Sequence, residues 1–348
     1  MNNMKKTFPW IRLIILVLIL FLVIVWAAMV GSSSMTLTDS VKTVVSKLPI
    51  IKNQIDLSDI STTYEVIIWK VRMPRILLSA LVGGALAIVG AAFQGVFRNS
   101  LADPHILGVS SGAALGATIA MLTGISVDFM GLGAIGALAF VGAMITVFVV
   151  YQIARIGGEL STINMLLTGT AMSTMLSAII SLLMTFNKEQ IDKVYMWTMG
   201  SFSAANWDKV KFLFVFSIIG FPVLVAYSGK LNILMLGEDD AKCIGIDTIK
   251  TRRIIIVIAS LLVASAVSVS GVIGFVGLII PHSIRILCGA DNRKLLPYAF
   301  FVGAIFLTVC DTLARTISAP TEIPVGIITS VCGAPYFIGL IISRRKKV

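Results

Sequence analysis

VRMPRILLSALVGGALAIVGAAFQGVFRNSLADPHILGVSSGAALGA, residues 71–117, opens with Arg72 and Arg75 and then carries no further charge until Arg98. From about Ile76 to Phe97 the run is apolar and long enough to cross hydrocarbon as a helix, which takes about 20 residues. Its small residues, Gly83, Gly84, Ala85, Ala87, Gly90, Ala91 and Ala92, allow helix backbones to approach closely in lipid. A short polar turn, RNSLADP, follows, and the chain re-enters the apolar phase at Ile106. Gly108, Gly112 and Gly116 then repeat every four residues and mark one tightly packing face of a third span. The stretch therefore reads as two membrane helices joined by a tight turn.

The composition agrees. Of 348 residues, 57% are hydrophobic and only 13% charged, and the mean hydropathy is +0.98. So little charge in a chain this long points to an all-α polytopic membrane protein. The net charge of +11 could suggest nucleic acid, but the basic residues gather at the ends of apolar spans, as membrane orientation requires. No nucleic-acid partner is expected, and membrane lipid is. Cys243, Cys288, Cys310 and Cys332 form no CxxC pair and read as small packing residues with no disulfide or metal role.

Outward from the opening stretch, ten spans are expected. A first helix, Leu13 to Val30, follows Lys5, Lys6 and Arg12; it is longer than a signal-peptide core and reads as a retained helix. Residues 32–75 form an external polar segment, with Trp69 as an interfacial anchor. After the second and third spans come a fourth at about Met130 to Ala154, a fifth at Ile163 to Met184 and a sixth at Phe212 to Tyr227. Between the last two, Asp192 to Met199 is expected to form a short helix at the outer interface. The seventh runs from Ile254 to Val269 and the eighth from Val272 to Leu287. The ninth covers Tyr298 to Thr316 and the tenth Val325 to Ile342. Most of the 28 basic residues then fall on one side, which the positive-inside rule makes cytoplasmic, and both termini lie there.

The longest inner loop, GKLNILMLGEDDAKCIGIDTIKTRR at residues 229–253, reads as two short helical pieces. Glu238, Asp239 and Asp240 suit a helix N-terminus. Gly245 suits a left-handed C-cap, and Asp247 can cap the next helix. Local chemistry fits a solvated connector, and it fits a docking element for a cytosolic partner.

Phosphate-loop and zinc-protease signatures are missing: there is no GxxxxGK[ST] or HExxH. No catalytic, cofactor or metal-ligating residues are assigned. His105 and His282 each adjoin a proline and fit helix-end packing or hydrogen bonding better than a metal site. Asp311 and Arg315 stand i,i+4 on the ninth span and can neutralise one another. So few buried ionisable groups count against a proton- or sodium-coupled secondary carrier, and an intramembrane enzyme fits less well still.

Residues 71–117 resemble the signature region of the FecCD-type permeases, the membrane subunits of ATP-binding-cassette importers for iron siderophores and vitamin B12. LNILMLGEDDAKCIGID (231–247) is similar to that family's coupling loop, and SGVIGFVGLIIPHSIR (270–285) and the segment 311–341 to its later helices. The resemblance implies a type II importer fold. Ten-helix subunits with inverted repeats would pair as a homodimer or heterodimer, the whole of 1–348 forming one transmembrane permease domain in a bacterial cytoplasmic membrane. It implies a separate cytosolic ATP-binding subunit meeting Gly237, Glu238, Ala241 and Gly245 in the coupling loop 229–253. It also implies an extracytoplasmic substrate-binding protein, lipoprotein or periplasmic, docking on Arg72, Arg75 and Arg315. The cargo would be a ferric siderophore, haem or cobalamin. Residue chemistry alone also allows Arg72 and Arg75 to anchor lipid phosphate, and Arg315 to pair with Asp311.

Overall fold

The structure is a computed structural model that describes residues 9–30, 66–156 and 162–345. Most of the expected external segment, residues 31–65, lies outside the described residues, as does the inner turn at 157–161. The described helices are α1 (Pro9–Met29), α2 (Met73–Val96), α3 (Val109–Thr123), α4 (Gly133–Ala154), α5 (Thr162–Phe186), α6 (Ile191–Thr198) and α7 (Trp207–Ala226). They continue as α8 (Ser228–Leu236), α9 (Glu238–Cys243), α10 (Thr248–Ser270), α11 (Val276–Cys288), α12 (Asn292–Thr316) and α13 (Val325–Arg345). Seven helices are long and apolar enough to cross a membrane, and the shorter apolar helices α3, α11 and α13 add three more. These ten coincide with the ten expected spans, and α6 is the expected short outer helix.

One boundary differs in a way that matters. The second span begins at Ile67, in a π-helical turn that runs through Arg72 into α2, and not near Ile76. Pro74 explains the widened turn: its ring crowds the carbonyl four residues back and it has no N–H to offer. The ladder just before it is relaxed, with the Met73 amide donating to the Ile68 carbonyl, five residues back. Arg72 and Arg75 therefore sit within the helical span and not at its mouth.

The helices fall into two halves of the same order. In α2–α5 the lengths are 24, 15, 22 and 25 residues; in α10–α13 they are 23, 13, 25 and 21. Long, short, long, long recurs, and α2 and α10 start from opposite ends of the bundle, as an inverted repeat requires. We refer to the two ends as the arginine end, where α2 starts, and the knob end, where α8 and α9 lie.

Helix α2 is the hub. It is buried along nearly its whole length against α7, α10, α11 and α12. Small residues permit this: a Cβ on Gly90 would collide with the Gly277 backbone, and one on Gly277 with the Pro104 ring. At that crossing His105 Nε2 lies 3.0 Å from the Ile273 carbonyl and so donates to it. Its Nδ1 meets the Ser110 hydroxyl, which makes the ring a strut between the entry segments of the short helices α3 and α11. Hydrogen bonding at a helix end is what the sequence favoured for this histidine.

Candidate functional site

The knob is built from helix-end chemistry. Helix α8 stops at Gly237, whose φ of 155° and ψ of 163° only glycine adopts readily. Helix α9 then starts on Glu238, Asp239 and Asp240, three carboxylates at the positive end of a helix. It closes at Gly245, in the left-handed region at φ 82°, with the Gly245 amide on the Lys242 carbonyl and the Ile246 amide on the Ala241 carbonyl. Asp247 caps α10 by accepting from the Lys250 amide at 2.8 Å. Glu238 binds the knob to that helix: its carboxylate accepts from the Thr248 hydroxyl at 3.3 Å and stands 3.4 Å from Arg252.

The structure thus brings Gly237, Glu238, Ala241 and Gly245 together, with distinct positions. Ala241 is fully buried and forms the floor of the knob. The surface belongs to neighbours: Leu236 is 69% and Ile244 61% exposed, beside exposed Asp239, Asp240, Lys242 and Cys243. Sequence reading missed the two apolar tips, because the loop carries three leucines and four isoleucines and nothing local separates the exposed ones from the rest.

A second connection fixes the knob to the bundle. Asn232 Oδ1 accepts from the amide and the side chain of Asn292, both at 2.8 Å. Its Nδ2 donates to Asp291 Oδ1 at 2.7 Å. Asp291 is itself the N-cap of α12, so α8 is sewn to the start of that helix.

At the far end of α12 lies the arginine cluster. Arg75 Nε donates to both oxygens of Asp311 at 3.1 and 3.0 Å, and Nη2 donates to Asp311 Oδ1 at 2.9 Å. Nη1 donates to Glu322 Oε1 at 2.7 Å. Arg72 Nη1 donates to the Ala28 carbonyl at 2.8 Å, and Arg315 Nη2 donates to the Ala27 carbonyl. Two cations thus meet the negative C-terminal end of α1. The carboxylate of Asp311 goes to Arg75, 236 residues away in sequence, and not to Arg315 one turn along. Arg72 and Arg75 are buried, Arg315 is half-buried, and the bonds to Ala28, Asp311 and Ala27 are internal to the chain. Phosphate anchoring by Arg72 and Arg75 is not what these contacts describe.

A further open surface is on α5. Of its 25 residues only Met165, Gly169 and Leu176 are buried. Thr170, Thr174, Ser177, Ser181 and Thr185, all exposed, fall within an arc of about 80° at 100° per residue. Thr174, Ser181 and Thr185 donate to carbonyls one turn back, which satisfies the hydroxyl protons and leaves the oxygen lone pairs facing outward.

Ten packed apolar helices, eight of them in two inverted sets of four, with a polar knob at one end, define a multi-pass membrane permease. The chain belongs to the FecCD transport family, whose model matches residues 16–343. It is 44% identical over 285 residues to the cobalamin import system permease protein BtuC of Halobacterium salinarum, covering 82% of this chain and 76% of that protein. It is 38% identical over 291 residues to the molybdate import system permease protein MolB of Haemophilus influenzae, covering 83% and 84%. A solved structure described as a metal-chelate type ABC transporter, in an inward-facing conformation, superposes with a TM-score of 0.82 at 34% identity, covering 97% of this chain and all of that one. The chain is thus the permease subunit of an ATP-binding-cassette importer, and the importer's ATPase is not this polypeptide.

Proposed function

We propose that two such subunits, of one kind or two, form a path through a bacterial cytoplasmic membrane for a metal chelate: a ferric siderophore, haem or cobalamin. The observation that carries this is the hydroxyl stripe of α5. A helix long enough to span a membrane, fully buried by its own chain at only three positions and lined on one open face by five hydroxyls, suits the wall of a wet passage completed by a second subunit. Hydroxyls with outward lone pairs offer a bulky cargo many weak contacts, which lets it leave as readily as it enters. The cobalamin and metal-chelate descriptions of the relatives support the cargo class.

A cytosolic ATP-binding subunit is assigned to the knob, with the knob end and both chain termini on the cytoplasmic side. Gly237, Glu238, Ala241 and Gly245 shape the contact, and Leu236 and Ile244 present it. An acidic extracytoplasmic binding protein is assigned to the opposite end. There Arg72, Arg75 and Arg315 outnumber Asp311 and Glu322, which leaves the cluster net positive, and Arg75 Nη1 meets the exposed Glu322 at the solvent edge. Asp311 does not favour a proton-coupled carrier, because a carboxylate held by a bidentate arginine is poorly placed to take up and release protons.

The test is reconstitution in proteoliposomes with the partner ATPase and binding protein, supplying labelled ferric siderophore, haem, cobalamin or molybdate in turn. Uptake of a chelate only with internal ATP is expected. Uptake driven by an ion gradient without ATP would make the chain a secondary carrier, and uptake of molybdate alone would overturn the cargo class.

A further inference from the structure

Arg75 divides its guanidinium between two carboxylates of different accessibility. Nε and Nη2 hold Asp311, which is buried at 1% exposure. Nη1 reaches Glu322, whose side chain is 42% exposed. One buried carboxylate already neutralises Arg75. The second is an addition at the solvent edge, where an ion pair is weak and readily exchanged.

The place of Glu322 in the chain gives that exchange a consequence. It lies on the turn between α12 and α13. Directly after it, the Ile323 amide donates to the Ala314 carbonyl at 3.1 Å. Two residues further, the Val325 amide donates to the Gly200 carbonyl at 3.1 Å and the Gly326 amide to the Met199 carbonyl at 3.2 Å. Those carbonyls belong to the turn that leaves α6. The Arg75–Glu322 contact therefore holds a turn that ties together α12, the first turn of α13 and the α6 exit.

We propose that Glu322 is an internal stand-in for a carboxylate of the acidic binding protein, occupying Nη1 of Arg75 until docking displaces it. This rests on the docking reading above and adds its regulation. The incoming carboxylate takes over the same hydrogen bond, with no change in the number of charges on Arg75. Arginine suits such an exchange because its planar fork keeps Asp311 bound through Nε and Nη2 while Nη1 changes partner. Glu322, once released, frees the turn at 317–324 to move with the start of α13. Docking at the outer face is thereby linked to the helices that surround the α6 exit.

The experiment uses the full permease with its ATPase in nanodiscs and the importer's extracytoplasmic binding protein. Affinity is measured against salt for the wild type, Glu322→Gln and Arg72→Gln, with a melting curve for each. Hydrogen exchange of the amides at 317–327 is followed with and without the binding protein. Glu322→Gln keeps the shape and removes the competing charge, so binding should tighten by about two- to fivefold, with little change in melting. Docking on the wild type should speed exchange at 317–327, and Glu322→Gln should show that faster exchange unaided. If Arg72→Gln weakens binding while Glu322→Gln leaves affinity and exchange as in the wild type, docking stands and the stand-in role is wrong. If wild-type binding ignores salt and neither variant alters it, the docking reading itself fails. Should Glu322→Gln melt early, the wild-type exchange measurement decides alone: no change on docking sinks the proposal.

Discussion

Gly83 of α2 and Gly303 of α12 meet backbone to backbone: a Cβ built on either would collide with the carbonyl oxygen of the other. No side chain can turn aside to relieve such a clash, so even alanine must part the two helices. Overpacking of this kind typically costs about 1–3 kcal/mol, and α2 and α12 form the most extensive helix pair in the bundle. Gly83→Ala should lower the melting temperature of the detergent-solubilised protein. Gly339→Ala on α13, which meets nothing within 4 Å, should not. Equal melting curves for both would mean that the α2–α12 contact is looser than described.

The arginine cluster gives a second prediction. Arg75→Leu leaves the Asp311 carboxylate buried without its charge partner, a change that costs about 3–5 kcal/mol in comparable sites. Arg75→Leu with Asp311→Leu removes both charges and should recover much of the loss, since apolar pairs of similar volume often replace a buried ion pair at no penalty. Thermal melting of the single and double variants checks this. A double variant as unstable as the single one would show that the pair acts through its shape or through Glu322, and not through charge.

The same cluster shows where sequence reading stops. The ten spans, the short α6 helix, the Gly245 C-cap and the Asp247 N-cap were all legible, because each is governed by residues within a few positions of one another. The partner of Asp311 was not. Spacing offered Arg315 at i,i+4, and nothing local could reveal that Arg75, from a helix 236 positions away, would approach from the side. The burial of Arg72 was hidden likewise: it depends on the end of α1 arriving beside it, and on the π turn that Pro74 brings into the second span. At the knob, Ala241 was named only by the family resemblance. Whether it faced inward or outward depended on how α9 folds back on α10, which no periodicity in six residues can disclose.

Topology is tested by the thiols. Cys243 is exposed on the knob and Cys310 is buried in α12; Cys332 is exposed on apolar α13, where lipid or a second subunit would cover it. An impermeant maleimide applied to intact cells should leave Cys243 unmodified and should label it fastest of the four once the membrane is opened. Rapid labelling from outside would reverse the assigned orientation.

Coupling is the last prediction, and the knob allows shape and contact to be separated. Ile244→Asp alters an exposed tip and leaves the packing beneath it alone, so the protein should fold and melt normally. If that tip seats in an ATPase groove, burying a charge there should abolish co-purification of the ATPase and reduce transport by more than tenfold. Ala241→Arg instead forces a long side chain into the floor of the knob, and should lower stability as well as transport. Asn232→Leu keeps the surface of the knob but cuts its hydrogen bonds to Asp291 and Asn292. The ATPase should still bind and hydrolyse ATP, with transport per ATP falling several-fold, because motion of α8 is no longer delivered to the start of α12. Measuring co-purification, hydrolysis and uptake on the same reconstituted samples separates the three outcomes. Full transport by Ile244→Asp would reduce the knob to a solvated connector, and unchanged transport per ATP in Asn232→Leu would remove α12 from the route between the two ends.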